Sequence, residues 1–335
     1  MKTLELVCPK CKGKLRQSEM EYYCGKCDKT FPILFGIPDF RLRSDQYLSL
    51  EEERLKAQRL FDKSKNISFI ELLEYYYSIT DDVPKELAKR YIAYNLSAVK
   101  QGELILSKLD DDQCRSLIDV GCGAGGTLVA AGGHFEQIVG VDIALRWLVI
   151  AQKRLMELGI NAQLICADVE KLPFKSSSCD LIVANDLLEH VHDVSKSSKE
   201  LISTLGNNGK IWISASNRYF IGPNPSTRMW AIGFMPKSLR TWLLNTVRGV
   251  DSLRFIHLVS PYEIKKYFNP TLKLTHFGPK SIPDSLDADY PFIDQLLIKI
   301  YQVLQNVKLI KLVLFYAGPA FEMIFTKNKP TMRKE

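Results

Sequence analysis

Two groups of residues in this chain have types and spacings that do chemistry. The first is a cysteine quartet, Cys8-Pro-Lys-Cys11 and Cys24-Gly-Lys-Cys27, two C-x-x-C pairs separated by twelve residues. Each pair lets two thiolates of one tight turn grip the same ion, and two such turns complete a tetrahedral zinc site. Two redox dithiols are the competing reading, but a thioredoxin-like dithiol needs a βαβ context that this segment lacks. No acid or base stands near a free coordination position, so the zinc reads as structural. The second group starts at Leu117 to Gly126, L-I-D-V-G-C-G-A-G-G. An apolar run carrying Asp119 breaks into glycines, as a buried strand does when the next stretch of backbone must pass close to a ligand. Gly121 and Gly123 accept positive φ and carry no Cβ. A helix starting here would offer free N–H groups to a carboxylate or phosphate. Gly121, Gly123 and Gly126 also satisfy G-x-G-x-x-G, a weak signal alone. Asp142 closes a second apolar run, Q-I-V-G-V-D, roughly 20 residues past the glycines, where an acid accepts ribose hydroxyls. A carboxylate only accepts, and the diol supplies two donors.

The elements that must position these groups follow from periodicity. From residue 115 strands and helices alternate, which predicts a parallel sheet with right-handed crossovers. The expected strands are 116–120, 137–142, 163–167, 179–185, 209–215, 271–277 and 321–327, the last antiparallel. Helices are expected over 144–158, closed by Gly159, over 196–209 with its turn, and over 261–268. Before the sheet, Ser49 starts one helix, and Pro84 starts another that runs toward Leu109. Tyr75, Tyr76 and Tyr77 read as packing residues. The switch point between strands one and four makes the loop after residue 185 face the reacting centre.

Several of these stretches resemble one family, in order and at familiar spacing over about half the chain. I-D-V-G-C-G-A-G resembles motif I of the class I S-adenosylmethionine (SAM) methyltransferases of the type 11/25-like kind. Asp168-Val169 with Leu172-Pro173-Phe174 resembles their third motif, and the stretch from Asp180 to Val191 resembles their D-x-I-x-x-x-x-x-L-E-H-V loop. The resemblance implies an α/β fold: a doubly wound, seven-stranded Rossmann-like sheet with helical insertions. It implies that Asp119, Gly121, Cys122 and Gly123 pack against the methionyl part of SAM, and that Asp142 and Ile143 meet the ribose. Asp168 then accepts from the adenine amino group, with the Val169 amide on a ring nitrogen and Asn185 beside the transferred methyl. A helix cap or Asx turn is the other reading of Asp168. A dinucleotide fold does not call for D-x-x-x-L-P-F after strand three. Residues 1–40, including Phe31-Pro32-Ile33 and Gly36-Ile37-Pro38, look like the small zinc-ribbon family whose best-known members partner methyltransferases.

Asp186, Glu189 and His190 have D-x-x-E-H spacing, which resembles the E-x-x-E-H divalent-metal motif of ubiquinone-pathway O-methyltransferases and small-RNA end methyltransferases. Two acids and an imidazole on one turn could hold Mg²⁺ or Mn²⁺ against an acceptor hydroxyl. Without metal, His190 is the general-base candidate, with His257 behind it. The sequence lacks the D/N-P-P-Y/F stretch frequent in amino-group methyltransferases acting on bases, which favours an oxygen or carbon acceptor.

The expected organisation is a zinc ribbon over 1–43, a helical linker or lid over 44–110, and the methyltransferase domain over 111–330. Insertions are expected at about 217–260, rich in aromatics, and at 281–318. The chain has 335 residues, 46% hydrophobic and 25% charged, with a net charge of +7. That balance is too mild to argue for nucleic acid, and no dense Arg/Lys face appears. An RNA methyltransferase and a non-catalytic SAM-fold binding protein are the rival function classes. With no signal-peptide core and no apolar run of membrane-span length, a cytoplasmic protein is expected. Residues 292–316 are expected to form one basic amphipathic helix, either packed on the core or a second subunit, or lying at the inner membrane surface. That second arrangement would place the acceptor side of the site near lipid-linked substrates; the expected acceptor is a small molecule, a lipid or a cell-envelope glycan.

Overall fold

The computed structural model describes residues 4–80, 85–109, 114–224, 229–248, 253, 255–283 and 292–328. The N-terminal segment folds into short antiparallel strands β1 (Arg16–Gln17), β2 (Glu21–Cys24), β3 (Lys29–Leu34) and β4 (Ile37–Pro38). Helices α1 (Leu50–Ser64), α2 (Phe69–Ser78) and α3 (Lys85–Leu109) follow. Ser49 and Ser68 each cap the next helix with a complete capping box, through Glu52 and Glu71. The expected start at Pro84 lies outside the described residues.

The large sheet comprises β5 (Ser116–Val120), β6 (Gln137–Asp142), β7 (Gln163–Cys166), β8 (Cys179–Asn185), β9 (Leu205–Ser216), β10 (Lys273–Pro279) and β11 (Ala320–Thr326). Between them run α4 (Gly126–Ala130), α5 (Leu145–Glu157), α6 (Val194–Thr204), α7 (Lys237–Arg248), α8 (Pro261–Phe268), α9 (Phe292–Gln305) and α10 (Lys308–Ala317). Strand order is β10-β11-β9-β8-β5-β6-β7, with β11 antiparallel to both neighbours. The sequence order reverses between β5 and β8, which puts the switch point beside the glycine turn.

Alternation along the strands feeds two cores. Leu117, Ile138, Leu164, Leu181 and Trp212 pack under α1, α2, α3 and α5. Ile118, Val139, Ile165, Ile182 and Ile211 pack with α6, α8, Phe315 and the ribbon residues Tyr22, Phe31 and Phe40. The ribbon therefore shares the main core. It also covers the open edge at β7: Asp39 bridges Cys166, Phe40 N donates to Cys166 O at 2.7 Å, and Val7 N donates to Pro173 O at 2.9 Å.

Three expectations change. Strand five begins at Leu205, because the chain enters the sheet directly from α6. The expected helix 292–316 is two helices, broken at Asn306-Val307, where Val307 takes an extended conformation as the N-cap of α10. The first insertion has an aliphatic satellite core of Ile232, Leu244, Leu253 and Leu258, while Trp230, Phe234 and Trp242 face outward. Among the described residues no helix is long and apolar enough to cross a membrane.

Candidate active site and cysteine centre

The strand β5 delivers Asp119 and then turns through Gly121 and Gly123, both at positive φ. Gly123 has open space where a Cβ would stand, so a side chain there would intrude on a ligand. Gly126 is needed for a different reason: a Cβ would lie 2.4 Å from the Ala98 Cβ, because α3 crosses directly over the turn. Helix α3 is thus a wall of the site. Gly121, Cys122, Gly123, Asp119 and Asn185 line one cavity of about 290 Å³ together with Tyr94, Gln101, Lys280, Ile282, Pro283 and Ile298.

Asp119 is buried, and its carboxyl is pushed up to about 7 by that burial, with Thr127 donating to it and Asp142 adding like charge. A buried acid with a hydroxyl partner and an anionic neighbour is relieved by a cationic ligand, which fits the ammonium and sulfonium of SAM. Asp142 accepts from Gly123 N and Ala144 N, both at 2.9 Å. Burial raises its carboxyl, and those two amides partly offset the rise. Asp142, Ile143, Asp168 and Val169 lie outside the cavity lining, at the neighbouring strand ends, which Ala167 N joins to Asp142 O at 3.0 Å. Asp168 does cap a turn, accepting from Glu170 N at 2.9 Å, and it also accepts from Arg43 Nε at 2.6 Å. Nothing in the sequence pattern announced Arg43.

The D-x-x-E-H residues are not gathered. Asp186 takes a left-handed conformation (φ 53) and the chain then turns rather than coils, so the three side chains diverge. Asp186 is paired with Lys280, accepts from Tyr94 OH at 3.1 Å, and is held below the usual carboxylate range despite its burial. Glu189 is 2% exposed; Oε1 accepts from Ser216 N at 2.9 Å and Oε2 has no partner among the described residues. Burial and the nearby Asp186 push Glu189 up to about 7. His190 is exposed, lies outside the cavity lining, and has its Nδ1 3.5 Å from Tyr47 OH. His257 instead pairs with Glu263 at 3.2 Å. Among the described residues, the only set of three or more Cys, His, Asp or Glu ligand atoms within 4.8 Å of one another is Cys8, Cys11, Cys24 and Cys27. Asp186, Glu189 and His190, which could have held Mg²⁺ or Mn²⁺, form no such set.

The cysteine quartet, by contrast, is assembled. Cys8 and Cys27 sulfurs are 3.5 Å apart, as are those of Cys11 and Cys24. A tetrahedral zinc with bonds of about 2.3 Å sets sulfur separations of roughly 3.8 Å, so the donor set fits the ion. Tyr94, Gln101, Lys280 and Ile298 escaped the sequence reading, since they come from a helix, a strand end and an insertion far apart in the chain.

The sheet and the glycine turn lie in a segment that is similar to known methyltransferase domains. The family model described as a methyltransferase domain matches residues 118–213. A ubiquinone biosynthesis O-methyltransferase of Coxiella burnetii is 30% identical over 106 residues, covering 32% of this chain and 45% of that protein. The corresponding enzyme of Salmonella paratyphi A is 25% identical over 184 residues, covering 49% and 70%. A sterol 4-C-methyltransferase of Caenorhabditis elegans is 29% identical over 108 residues, covering 32% of each. The chain thus spans less than half the length of the first of these relatives. Among solved structures, phosphoethanolamine N-methyltransferase 2 of Haemonchus contortus with SAM has a TM-score of 0.47 at 15% identity, covering 78% of this chain and 60% of that one.

Proposed function

We propose that this chain transfers a methyl group from SAM to an oxygen of a small, largely apolar acceptor. One observation carries the reading: the SAM-side turn and an acceptor-side wall of Tyr94, Lys280, Ile282, Pro283 and Ile298 enclose the same cavity. Asp119 and the glycine turn hold the methionyl end, Asp142 and Ile143 the ribose, Asp168 and Val169 the adenine. Asn185 stands beside the methyl. SAM supplies an activated methyl on a sulfonium; the protein aligns it with the acceptor and excludes water. His190 is the base for an acceptor hydroxyl. Residues 1–43 hold structural zinc, 44–110 form the lid, and 111–330 carry out the transfer. The relatives whose names specify oxygen and sterol carbon acceptors support a small-molecule substrate.

The acceptor is lipid-linked in this reading, and α9 and α10 rest on an anionic membrane surface. Leu297, Ile300, Val303, Val307, Leu309, Leu312 and Val313 are all exposed, with Lys299, Lys308 and Lys311 among them. Ile298 on α9 meanwhile lines the cavity, so a docked α9 would lie between lipid and site. Labelled SAM incubated with the protein and separate lipid, polysaccharide and RNA fractions tests this. Label entering the lipid fraction is expected; label entering only RNA would overturn it.

A further inference from the structure

The segment between the ribbon and α1 crosses the strand ends where the adenosine of SAM would lie. Arg41 is buried, clamps Asp39 through two bonds of 2.8 Å and donates to Ile143 O at 3.2 Å. Arg43 donates Nε to Asp168 at 2.6 Å and places Nη2 2.7 Å from Glu170 Oε1. Asp45 pairs with Arg146 at 2.8 Å, and Gln46 donates to His190 O at 2.8 Å. Residues 143, 168 and 190 belong to three different loops of the site, and one strap of seven residues, 41–47, touches all three.

We propose that this strap is part of the cofactor site and that Arg43 is a positioning residue for adenine recognition, acting through Asp168. The inference rests on the reading of Asp168 as the adenine acceptor. Glu170 N holds Oδ1 and Arg43 holds Oδ2, so the carboxylate plane is fixed from both sides. Each oxygen keeps a further lone pair, and with the plane fixed that lone pair is aimed rather than free to rotate. A carboxylate held this way accepts from an amino group and repels a carbonyl. Arg43 therefore sets the preference for a 6-amino over a 6-oxo purine. Because its side chain is 39% exposed, it can be replaced without opening the core. The ribbon reaches the cofactor through the same strap, since Arg41 and Phe40 tie its first residues to the ribbon and to β7.

The test is calorimetric titration of the zinc-loaded full chain with S-adenosylhomocysteine and S-inosylhomocysteine, which differ in the 6-amino or 6-oxo group and in the proton that inosine carries on N1. The wild type is expected to prefer the adenosyl ligand by about tenfold to a hundredfold, the worth of one charge-assisted hydrogen bond. Asp168→Asn, whose amide can donate to the 6-oxo group, is expected to abolish or reverse the preference. Arg43→Ala is expected to cut the preference to about threefold or less, and Arg43→Lys to restore part of it. If Asp168→Asn removes the preference while Arg43→Ala retains it in full, the role of Arg43 is overturned and the adenine reading stands. If Asp168→Asn leaves the preference intact, the discrimination lies at N1 and the Val169 amide, and both Asp168 as the reader of position 6 and the role of Arg43 are overturned. Arg43→Ala weakening both ligands equally would show mere structural support and would also overturn the proposal.

Discussion

The two edges of the large sheet are finished in opposite ways. At β7 the ribbon adds backbone bonds, contributes Tyr22, Phe31 and Phe40 to the core, and leads into a strap of buried ion pairs. At β10 the covering helix α10 buries only Phe315 among its residues and leaves Leu309 76% exposed. The cofactor end is therefore covered by this chain's own ribbon and strap, whose charges are paired. The acceptor end exposes more apolar surface than a solvated helix hairpin needs, as an interaction surface does. Tight specification suits a ligand that is the same in every reaction cycle; the other edge is shaped for whatever brings the acceptor.

The largest expected break falls on the β7 side. Cys11→Ala removes one of four ligands of an ion whose binding is worth about 10–16 kcal/mol in small zinc modules. The variant should lose zinc on dialysis, and the amides of Val7 and Phe40 should lose hydrogen-exchange protection while β5 and β8 keep theirs. Next comes Glu53→Ala. Glu53 is buried against Arg146, which would keep Asp45 as its remaining partner. Stripping one member from a buried ionic cluster should cost about 3 kcal/mol, read as a lower denaturation midpoint in urea.

Asp142→Ala should weaken SAM binding by about tenfold to a hundredfold, the worth of a charge-assisted hydrogen bond. Unchanged affinity would remove Asp142 from the ribose. A smaller effect follows from Asp119, pushed up to about 7 in the free protein. Its folded pKa lies above the unfolded value, so protonation stabilises the fold and that contribution is lost as pH rises from about 4 to 7. A cationic ligand binds the charged form, so SAM affinity should rise with pH by at most about tenfold per unit below 7 and flatten above it. Proton release, measured by titration in buffers of different ionisation enthalpy, should accompany binding. Asp119→Asn should abolish the pH dependence.

The smallest effect on stability is expected at the other edge. Leu309→Glu with Leu312→Glu should leave the melting temperature unchanged, because both side chains already face solvent. The same variant should float less with anionic liposomes than the intact protein. If the variant melts far lower, or if the intact protein never floats, the contrast between the edges has been misjudged.

Much of the cofactor side was legible because it rests on local pattern. Strands β5, β6 and β8 fall on the expected residues, since apolar runs ended by Asp119, Asp142 and Asn185 mark strand ends. Ser49 announced α1 through its capping box. What escaped depends on long-range placement. Arg43 meets Asp168 and Lys280 meets Asp186 across stretches of chain that no motif links. The D-x-x-E-H spacing alone could not choose between the metal and metal-free readings, because spacing gathers side chains only on a regular turn and the left-handed Asp186 breaks it. The break at Asn306-Val307 was hidden because no Gly or Pro marks it; the apolar pattern only widens beyond Val307.

The ribbon's contact with β7 also has a consequence for how the protein is made. Phe40 bonds to Cys166, a residue synthesised 126 positions later (166 − 40). At about 5–20 residues per second, the ribbon waits on the order of 6–25 seconds before its docking strand exists. During that interval its own hairpins and the stacking of Phe35 on Phe61 of α1 can hold it. If the cysteine quartet takes up zinc as proposed, metal supply during synthesis would help decide whether a formed ribbon is ready when the sheet edge emerges.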